Sequence, residues 1–518
     1  MVNKVMLSDI DSKGKRFLRR SDLTPRLRLI IAFTALISNQ WGIITRLSRQ
    51  YAVSRMFIYL LIRDLESAEL EFFSVRITQS QRIERRIIYG HILSFRLEGK
   101  CSIEGISKLM KRQEIAPNSV GYISQSLDYI GSLLPNTVGR GDCLQLVIYA
   151  SDEIFCKSQP ILITVDPVSS AILRIELSDS RESEVWKGHW QCLMEHEHYS
   201  IYLVKDQGTS MESARVEILS DVVHQPDTYH AISHQLGLWV MRLEAAAYKA
   251  LKQMYDRYAK LDSAVSDEVI DKRIAAYESA DEAAEKAIAL YDEFYDYYLF
   301  LINQLRLFDS KGNLRDRAQA EANIGFAIEM IASLEYPKLR KITGKIADLL
   351  PDLLNYFDRA KQIITYFQTT GVCLEVLKEF CLAWQYQKNR IKAKQKSRRN
   401  KYKAKEKEQL ILLEEMCGEQ FLTTKELIYS QLDTIVQSSA LVETINSIIR
   451  AYLNTTRNHI SQHFLNLIMF YHNHRRYLGG KRKGKTPMEI LTGKDQQKDW
   501  LELLFEEIEK VDPTLLAA

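Results

Sequence analysis

Residues Leu144–Leu177 read LQLVIYASDEIFCKSQPILITVDPVSSAILRIEL, and the fold turns on how this stretch is parsed. Leu144–Ala150 and Pro160–Val165 are apolar runs rich in β-branched residues, and Ala171–Leu177 alternates apolar with polar; the pattern predicts three strands. The connections SDEIFCKSQ and DPVSS carry the Ser, Asp and Pro of tight turns. Asp152-Glu153 falls at the end of the first strand. A buried strand that delivers a carboxylate at its edge is a rigid platform for a metal ligand. From this stretch alone, Asp152 capping the hairpin is an equal alternative.

Downstream, Ser180–His198 reads as a helix, and Tyr199–Val204 as a short apolar strand ending in Lys205-Asp206-Gln207-Gly208. A second carboxylate thus stands at a strand end. Ala214–Leu219 is read as a further strand. From about His230 to Asp433 the character changes to long Ala-, Glu-, Lys- and Leu-rich helical patterns. SSALVETINSIIRAYL follows as a helix with Leu441, Val442, Ile445, Ile448, Ile449 and Tyr452 on its apolar face. Glu443, Asn446, Ser447, Arg450 and Asn454 are expected on its polar side, with Glu443 and Arg450 sharing a stripe.

Upstream, residues 1–24 read as a basic arm and 134–142 (LPNTVGRGD) as a linker. Between them, Leu27–Asn39 and Ile43–Gln50 are helical, and the turn at Tyr51-Ala52-Val53 leads to a Ser54-capped helix. Its residues Met56, Phe57, Leu60, Leu61 and Leu65 are expected to face inward, leaving Arg55 and Arg63 for a groove or phosphates. This is a helix-turn-helix pattern over 25–80. A second, over 81–135, starts one helix at Ser102, turns at IAPN and caps the next at Asn118 or Ser119. Residues 1–140 hold 22 Lys/Arg against 12 Asp/Glu, and two further basic zones are Lys388–Lys405 (KNRIKAKQKSRRNKYKAK) and Arg475–Lys485 (RRYLGGKRKGK). Helices around Asp256–Asp296 carry the balancing acid. Basic zones so separated point to a polyanion contacted along an extended path.

Composition narrows the class. With 518 residues there is room for about three domains. No apolar run is long enough to span a bilayer, so no membrane partner is expected. The N-terminal residues lack the apolar core of a secretory signal. The seven cysteines form no C-x-x-C pair, so neither a zinc site nor a disulfide frame is indicated and a reducing, cytoplasmic setting is expected.

YASDEIF with ITVDPVSSAILRIEL, then YLVKDQG, then SSALVETINSIIRAYL resemble the ribonuclease-H-like core of DDE transposases and integrases. The tail FYHNHRRYLGGKRKGKTPMEILTG is similar to the wording after their Glu helix. The helical stretch before Glu443 resembles the insertion of the hAT superfamily, and Asp227-Thr228-Tyr229-His230 matches the Cys/Asp-x-x-His motif found where such insertions begin. The resemblance implies a multidomain, mostly α protein with an α/β ribonuclease-H-like core. That core is split into 142–230 and 434–495 around an all-α insertion at 231–433, with a C-terminal helix and tail at 496–518. It implies a bacterial insertion-sequence transposase, nucleoid-associated, acting as a homodimer or larger assembly on double-stranded DNA, both element ends and target.

By the same resemblance Asp152, Asp206 and Glu443 are catalytic and hold two Mg²⁺, with Mn²⁺ able to substitute. Hard cations that keep water and phosphate oxygens call for carboxylates. Glu153, by strand alternation, and Asp166, in an Asp-Pro turn, are expected to be structural. DNA contacts are expected from Arg55, Arg63, Arg450, Arg457, Arg475, Arg476, Lys392, Lys394, Arg398 and Arg399. Trp384 is expected in a core, with stacking on an unpaired base as its alternative. A transposase-derived regulator without catalysis, or another ribonuclease-H-like nuclease, are the competing functions.

Overall fold

A computed structural model describes residues 9–10, 16–17, 20, 22–38, 40–74, 77–139, 145–263, 266–334 and 336–516. Most of the expected arm at 1–24, positions 140–142 of the expected linker, and Cys143 and Leu144, the latter the first residue of the expected first strand, lie outside the described residues. The chain divides into two compact units, Met1–Tyr89 with Asp512–Ala518, and Gly90–Val511.

In the first unit, Asp9–Ile10 pairs antiparallel with Arg16–Phe17. Helices α1 (Pro25–Ile37), α2 (Ile43–Gln50) and α3 (Arg55–Ser74) follow. Ser54 caps α3, its Oγ accepting from the Phe57 N–H at 3.1 Å. The core is Leu23, Ile31, Ala35, Ile43, Leu47 and Ile58. Among the described side chains of α3, Ile58 is the fully buried one and Phe57 and Leu61 pack against this core as expected, while Met56 and Leu60 are 67% and 39% exposed, contrary to the sequence expectation. The apolar stripe of α3 is wider than α1 and α2 can cover, so they take its Ile58 side and leave the Met56–Leu60 side open. Arg55 and Arg63 are exposed, as expected.

Helix α4 (Ile77–Leu93) runs through the boundary. Helices α5 (Ile103–Arg112) and α6 (Val120–Ser132) then open the second unit, with Ser102 and Ser119 each accepting a backbone N–H at 3.1 Å. Its sheet has strands β1 (Gln145–Cys156), β2 (Gln159–Val165), β3 (Ile172–Leu177), β4 (His198–Lys205) and β5 (Val223–Pro226) in the order β3-β2-β1-β4-β5. The first three are antiparallel, and β4 and β5 join parallel to β1. Two sequence expectations are corrected. The first strand does not end before Asp152: it continues to Cys156, because Asp152 pairs with Ile163 and the hairpin turns only at Lys157-Ser158, with Lys157 at φ +57°. Ala214–Leu219 is not a strand but lies in and just after helix α8 (Thr209–Ile218). Met211 and Ala214 face the core there, beside helix α7 (Ser183–Glu195), so tertiary packing overrides the β-branched local signal.

One face of the sheet buries Val147, Tyr149, Leu162, Leu173 and Leu203 against Trp186, Trp190 and Leu193 of α7 and the apolar residues of α8. The opposite face carries Ile148, Tyr202 and Val204. Between the halves of the core run helices α9 (Gln235–Tyr258), α10 (Asp267–Gln304), α11 (Arg317–Ser333), α12 (Pro337–Leu353), α13 (Asn355–Thr369), α14 (Leu374–Lys392), α15 (Lys396–Cys417) and α16 (Phe421–Leu432). They enclose a core of their own, with Trp239, Phe294, Ile324, Phe357 and Phe380 deep inside. The chain returns to the sheet with α17 (Ala440–Thr455), α18 (Gln462–His474), α19 (Pro487–Thr492) and α20 (Trp500–Val511).

Both sheet edges are closed by side-chain amides from distant helices. On β3, Asn473 accepts from the Ile172 N–H at 2.8 Å and donates to its carbonyl at 2.9 Å. Gln462 accepts from Leu177 N–H at 2.6 Å and donates to Ile175 O at 3.0 Å. On β5, Asn355 Nδ2 donates to His224 O at 2.8 Å. Such clips satisfy edge groups that would otherwise invite another strand. Gly131 of α6 lets α18 approach so closely that a Cβ there would sit 2.1 Å from the His463 carbonyl oxygen. Replacing Asn473 by Leu should therefore destabilise the second unit by about 2–4 kcal/mol, as two buried backbone groups lose their partners at roughly 1–3 kcal/mol each; urea unfolding followed by tryptophan fluorescence measures it.

Candidate active site

Register brings the first two carboxylates together. In the parallel ladder Ala150 is opposite Val204, so two residues further along each strand Asp152 and Asp206 emerge side by side on the same face, about one strand spacing of 5 Å apart. Burial first, and then the charge of Asp206, push the Asp152 carboxyl up to about 6. The hydrogen bonds of Asp152 oppose this rise: Oδ1 accepts from the Glu153 N–H at 2.8 Å and Oδ2 from Asn446 Nδ2 at 2.7 Å. Asp206 Oδ1 accepts from the Gly208 N–H at 2.8 Å. Glu153 points the other way and pairs with Arg181 at 2.8 Å, as alternation predicts. Asp166 is buried and holds its own turn, accepting from Ser169 N and Oγ at 2.7 and 2.6 Å.

The third carboxylate arrives through a buried latch. Asp227, just past β5, is 2% exposed. It accepts from Tyr229 N at 2.7 Å, Ser439 N at 2.9 Å, Ser439 Oγ at 2.5 Å and His230 Nδ1 at 3.0 Å. Thr228 adds two bonds to Gln437 O, from its N at 3.0 Å and its Oγ1 at 2.8 Å. Residues 227–230 and 437–439 are therefore tied together although more than two hundred positions of helical insertion separate them. Burial alone would raise the Asp227 carboxyl, but the bonds from His230 and Ser439 hold it below its ordinary value. Tyr229–His234 forms a π-helical turn, a local distortion that aims His230 away from the core. Its Nε2 meets Glu443 Oε1 at 2.9 Å. The hydrogen bond and charge of Asp227, and then the charges of Glu443 and Asp152, raise His230 to about 9, so both ring nitrogens donate.

Asn446 lies one turn after Glu443 on α17. Expected on the polar side, it is 2% exposed and packed under Asp152, and its Oδ1 is buried without a hydrogen-bond partner. The stripe that carries Glu443 borders the sheet, which periodicity within the helix cannot reveal. Carboxylate oxygens of this kind are the donors that hard divalent cations take. Among the described residues no three His, Cys, Asp or Glu donors converge at ligand distance, and Glu443 pairs with His230. The residues that would hold a metal are Asp152, Asp206 and Glu443.

The expected DNA contacts fall into distinct groups. Arg450, Arg457, Lys392, Lys394, Arg398 and Arg399 are exposed, and the basic zone around residues 388–405 wraps the α14–α15 turn. Lys392 is near enough to Asp227 to feel its charge. Arg475 lies over Tyr471 and Tyr477 at 5.6 and 5.9 Å. Arg476 is committed to protein: Nη1 donates to Gly484 O at 2.7 Å and Glu489 Oε1 at 2.9 Å, bracing the Thr486–Glu489 capping box of α19. Trp384 is a core residue, 5% exposed and edge-on to Phe308. Among the described residues no helix is long and apolar enough to cross a membrane.

No protein-family model matches this chain, and no curated protein matches it.

The latch has a testable pH signature. His230 is held above its ordinary value of 6.5, at about 9, so its protonation stabilises the fold fully below pH 6.5 and that contribution is lost as pH rises through 9. In metal-free buffer the second unit should lose about 1 kcal/mol across this window, the figure being reduced for partial exposure. Denaturant midpoints between pH 6 and 9.5 measure it, and His230→Gln should flatten the profile.

Proposed function

We propose that this chain is a DNA transposase of the DDE type, with a ribonuclease-H-like core split around a helical insertion. The observation that carries this reading is the placement of three far-separated carboxylates on neighbouring elements: Asp152 and Asp206 in register at adjacent parallel strands, and Glu443 on the helix that supplies Asn446 to Asp152. The strand order β3-β2-β1-β4-β5, antiparallel then parallel, supports the same reading, as does the exposure of Arg55 and Arg63 on a helix preceded by a short helix and turn.

Two Mg²⁺ bound by Asp152, Asp206 and Glu443 would supply an activated oxygen nucleophile and a charge clamp on the scissile phosphate. The protein's own groups do the positioning. Asn446 fixes the Asp152 carboxylate, and His230, oriented by Asp227, holds Glu443 near the pair of strand-borne aspartates. Arg450, two turns beyond Glu443 on α17, suits a flanking phosphate. The exposed cations of 392–399 suit sequence-independent backbone contact. Joining two element ends calls for at least a dimer.

The test uses purified protein, Mg²⁺ or Mn²⁺, and DNA carrying the inverted repeats that flank its gene. Nicking at the repeat boundary is expected, reduced by on the order of 10³-fold in Asp152→Ala, since metal assistance contributes several kcal/mol. Binding without cleavage under either metal would leave a DNA-binding regulator, and cleavage indifferent to the repeats a general nuclease.

A further inference from the structure

At the end of the helical insertion, two ammoniums from remote segments meet on a single acid, and a third cation, Arg482, stands close enough to act on both. Lys388 on α14 approaches Asp433 Oδ1 at 3.1 Å, and Lys481, from the loop after α18, pairs with Asp433 Oδ2. Trp384 Nε1 donates to Oδ1 as well, at 3.1 Å, and the Lys388 ammonium stands 5.1 Å over the Trp384 ring. Arg482 is braced from behind, its Nη2 donating to Pro167 and Val168 carbonyls at 2.9 and 2.8 Å. One carboxylate thus has both oxygens engaged by cations, the way a phosphate group would be.

Asp433 balances only part of the charge of these cations, and Asp166 acts on Arg482. Burial and then Arg482 lower the Lys388 ammonium to about 8, and burial, Lys388 and Arg482 do the same to Lys481. Cations held together against their repulsion, with the Lys481 side chain still 49% exposed, attract an anion from solution. A polymer fits better than a small ion. One helical turn after Lys388 comes exposed Lys392, which feels Asp227 of the latch, and exposed Lys396, Arg398 and Lys401 continue the path along α15.

We infer that Lys388, Lys481 and Arg482 form a phosphate-binding site for the DNA backbone, and that Asp433 occupies it as a resident counter-ion until a strand displaces it. The site joins the end of the helical insertion to the loop following α18, so it exists only when both are docked. This deepens the proposed function by naming a strand contact outside the carboxylate cluster, and it rests on that reading only for the identity of the polymer.

The test measures binding of the full chain to a fluorescein-labelled 30-bp duplex without repeat sequences, in EDTA, over a range of NaCl. Because no metal is present and nothing is cleaved, its outcome is independent of the nicking experiment. Lys481→Ala is expected to weaken binding about fivefold and to reduce the slope of log K against log salt by about 0.9, one phosphate contact. Lys481→Arg should retain the wild-type slope. Asp433→Asn, which keeps the Trp384 acceptor, should tighten binding about fivefold with an unchanged melting temperature. The inference is overturned if both Lys481→Ala and Asp433→Asn leave affinity and slope unchanged. It is equally overturned if Asp433→Asn weakens binding, or if inorganic phosphate at the same phosphate concentration competes as well as DNA.

Discussion

A buried carboxylate, Asp227, ties the segment before the helical insertion to the segment after it. A charged group 2% exposed survives only when its lone pairs are filled, and here they are filled from both sides of the insertion: Tyr229 and His230 before it, Ser439 after it. The sheet is complete without α17, but the site is not. Ser439 stands one residue before α17, so the bonds that satisfy Asp227 also set where that helix starts. Glu443 and Asn446, one and two turns along, are carried to Asp152 by that placement.

The electrostatics of the cluster follow from strand register. Parallel pairing at Ala150 and Val204 forces Asp152 and Asp206 into neighbouring positions whose like charges oppose folding unless a cation arrives. In the structure that cation is His230, drawn up to about 9 by Asp227 first and then by Glu443 and Asp152. The helix pair α7–α8 packs on the other face of the sheet.

The helical insertion is more than a spacer. It has its own core, it closes the β5 edge through Asn355, and its last helices deliver Trp384, Lys388 and Asp433 to the loop that carries Lys481. Lys392, at the end of α14, stands near enough to Asp227 to feel its charge.

Much of this was legible without coordinates, for definable reasons. Strand alternation separates Asp152 from Glu153, apolar runs mark β1, β2 and β4, and Ser54, Ser102 and Ser119 announce helix starts, because these signals are local and arise from backbone geometry and capping. What failed locally was the extent of β1, whose residues 151–156 look like turn but pair with β2, and α8, whose Val and Ile suggest a strand. In both, a neighbouring element pays the local cost. The Asp227-x-x-His230 motif was visible as a pattern, yet its work was not: satisfying a buried charge from Ser439 is a contact across more than two hundred residues, and no periodicity encodes it. Asn446 under Asp152, and Lys388 with Lys481 around Asp433, are likewise products of how the insertion docks. The sequence by itself determined which residues carry charge, which faces are apolar and where helices begin. Only the tertiary structure decided which of those charges meet, because burial and unlike partners, not spacing along the chain, determine where an ionised group can rest.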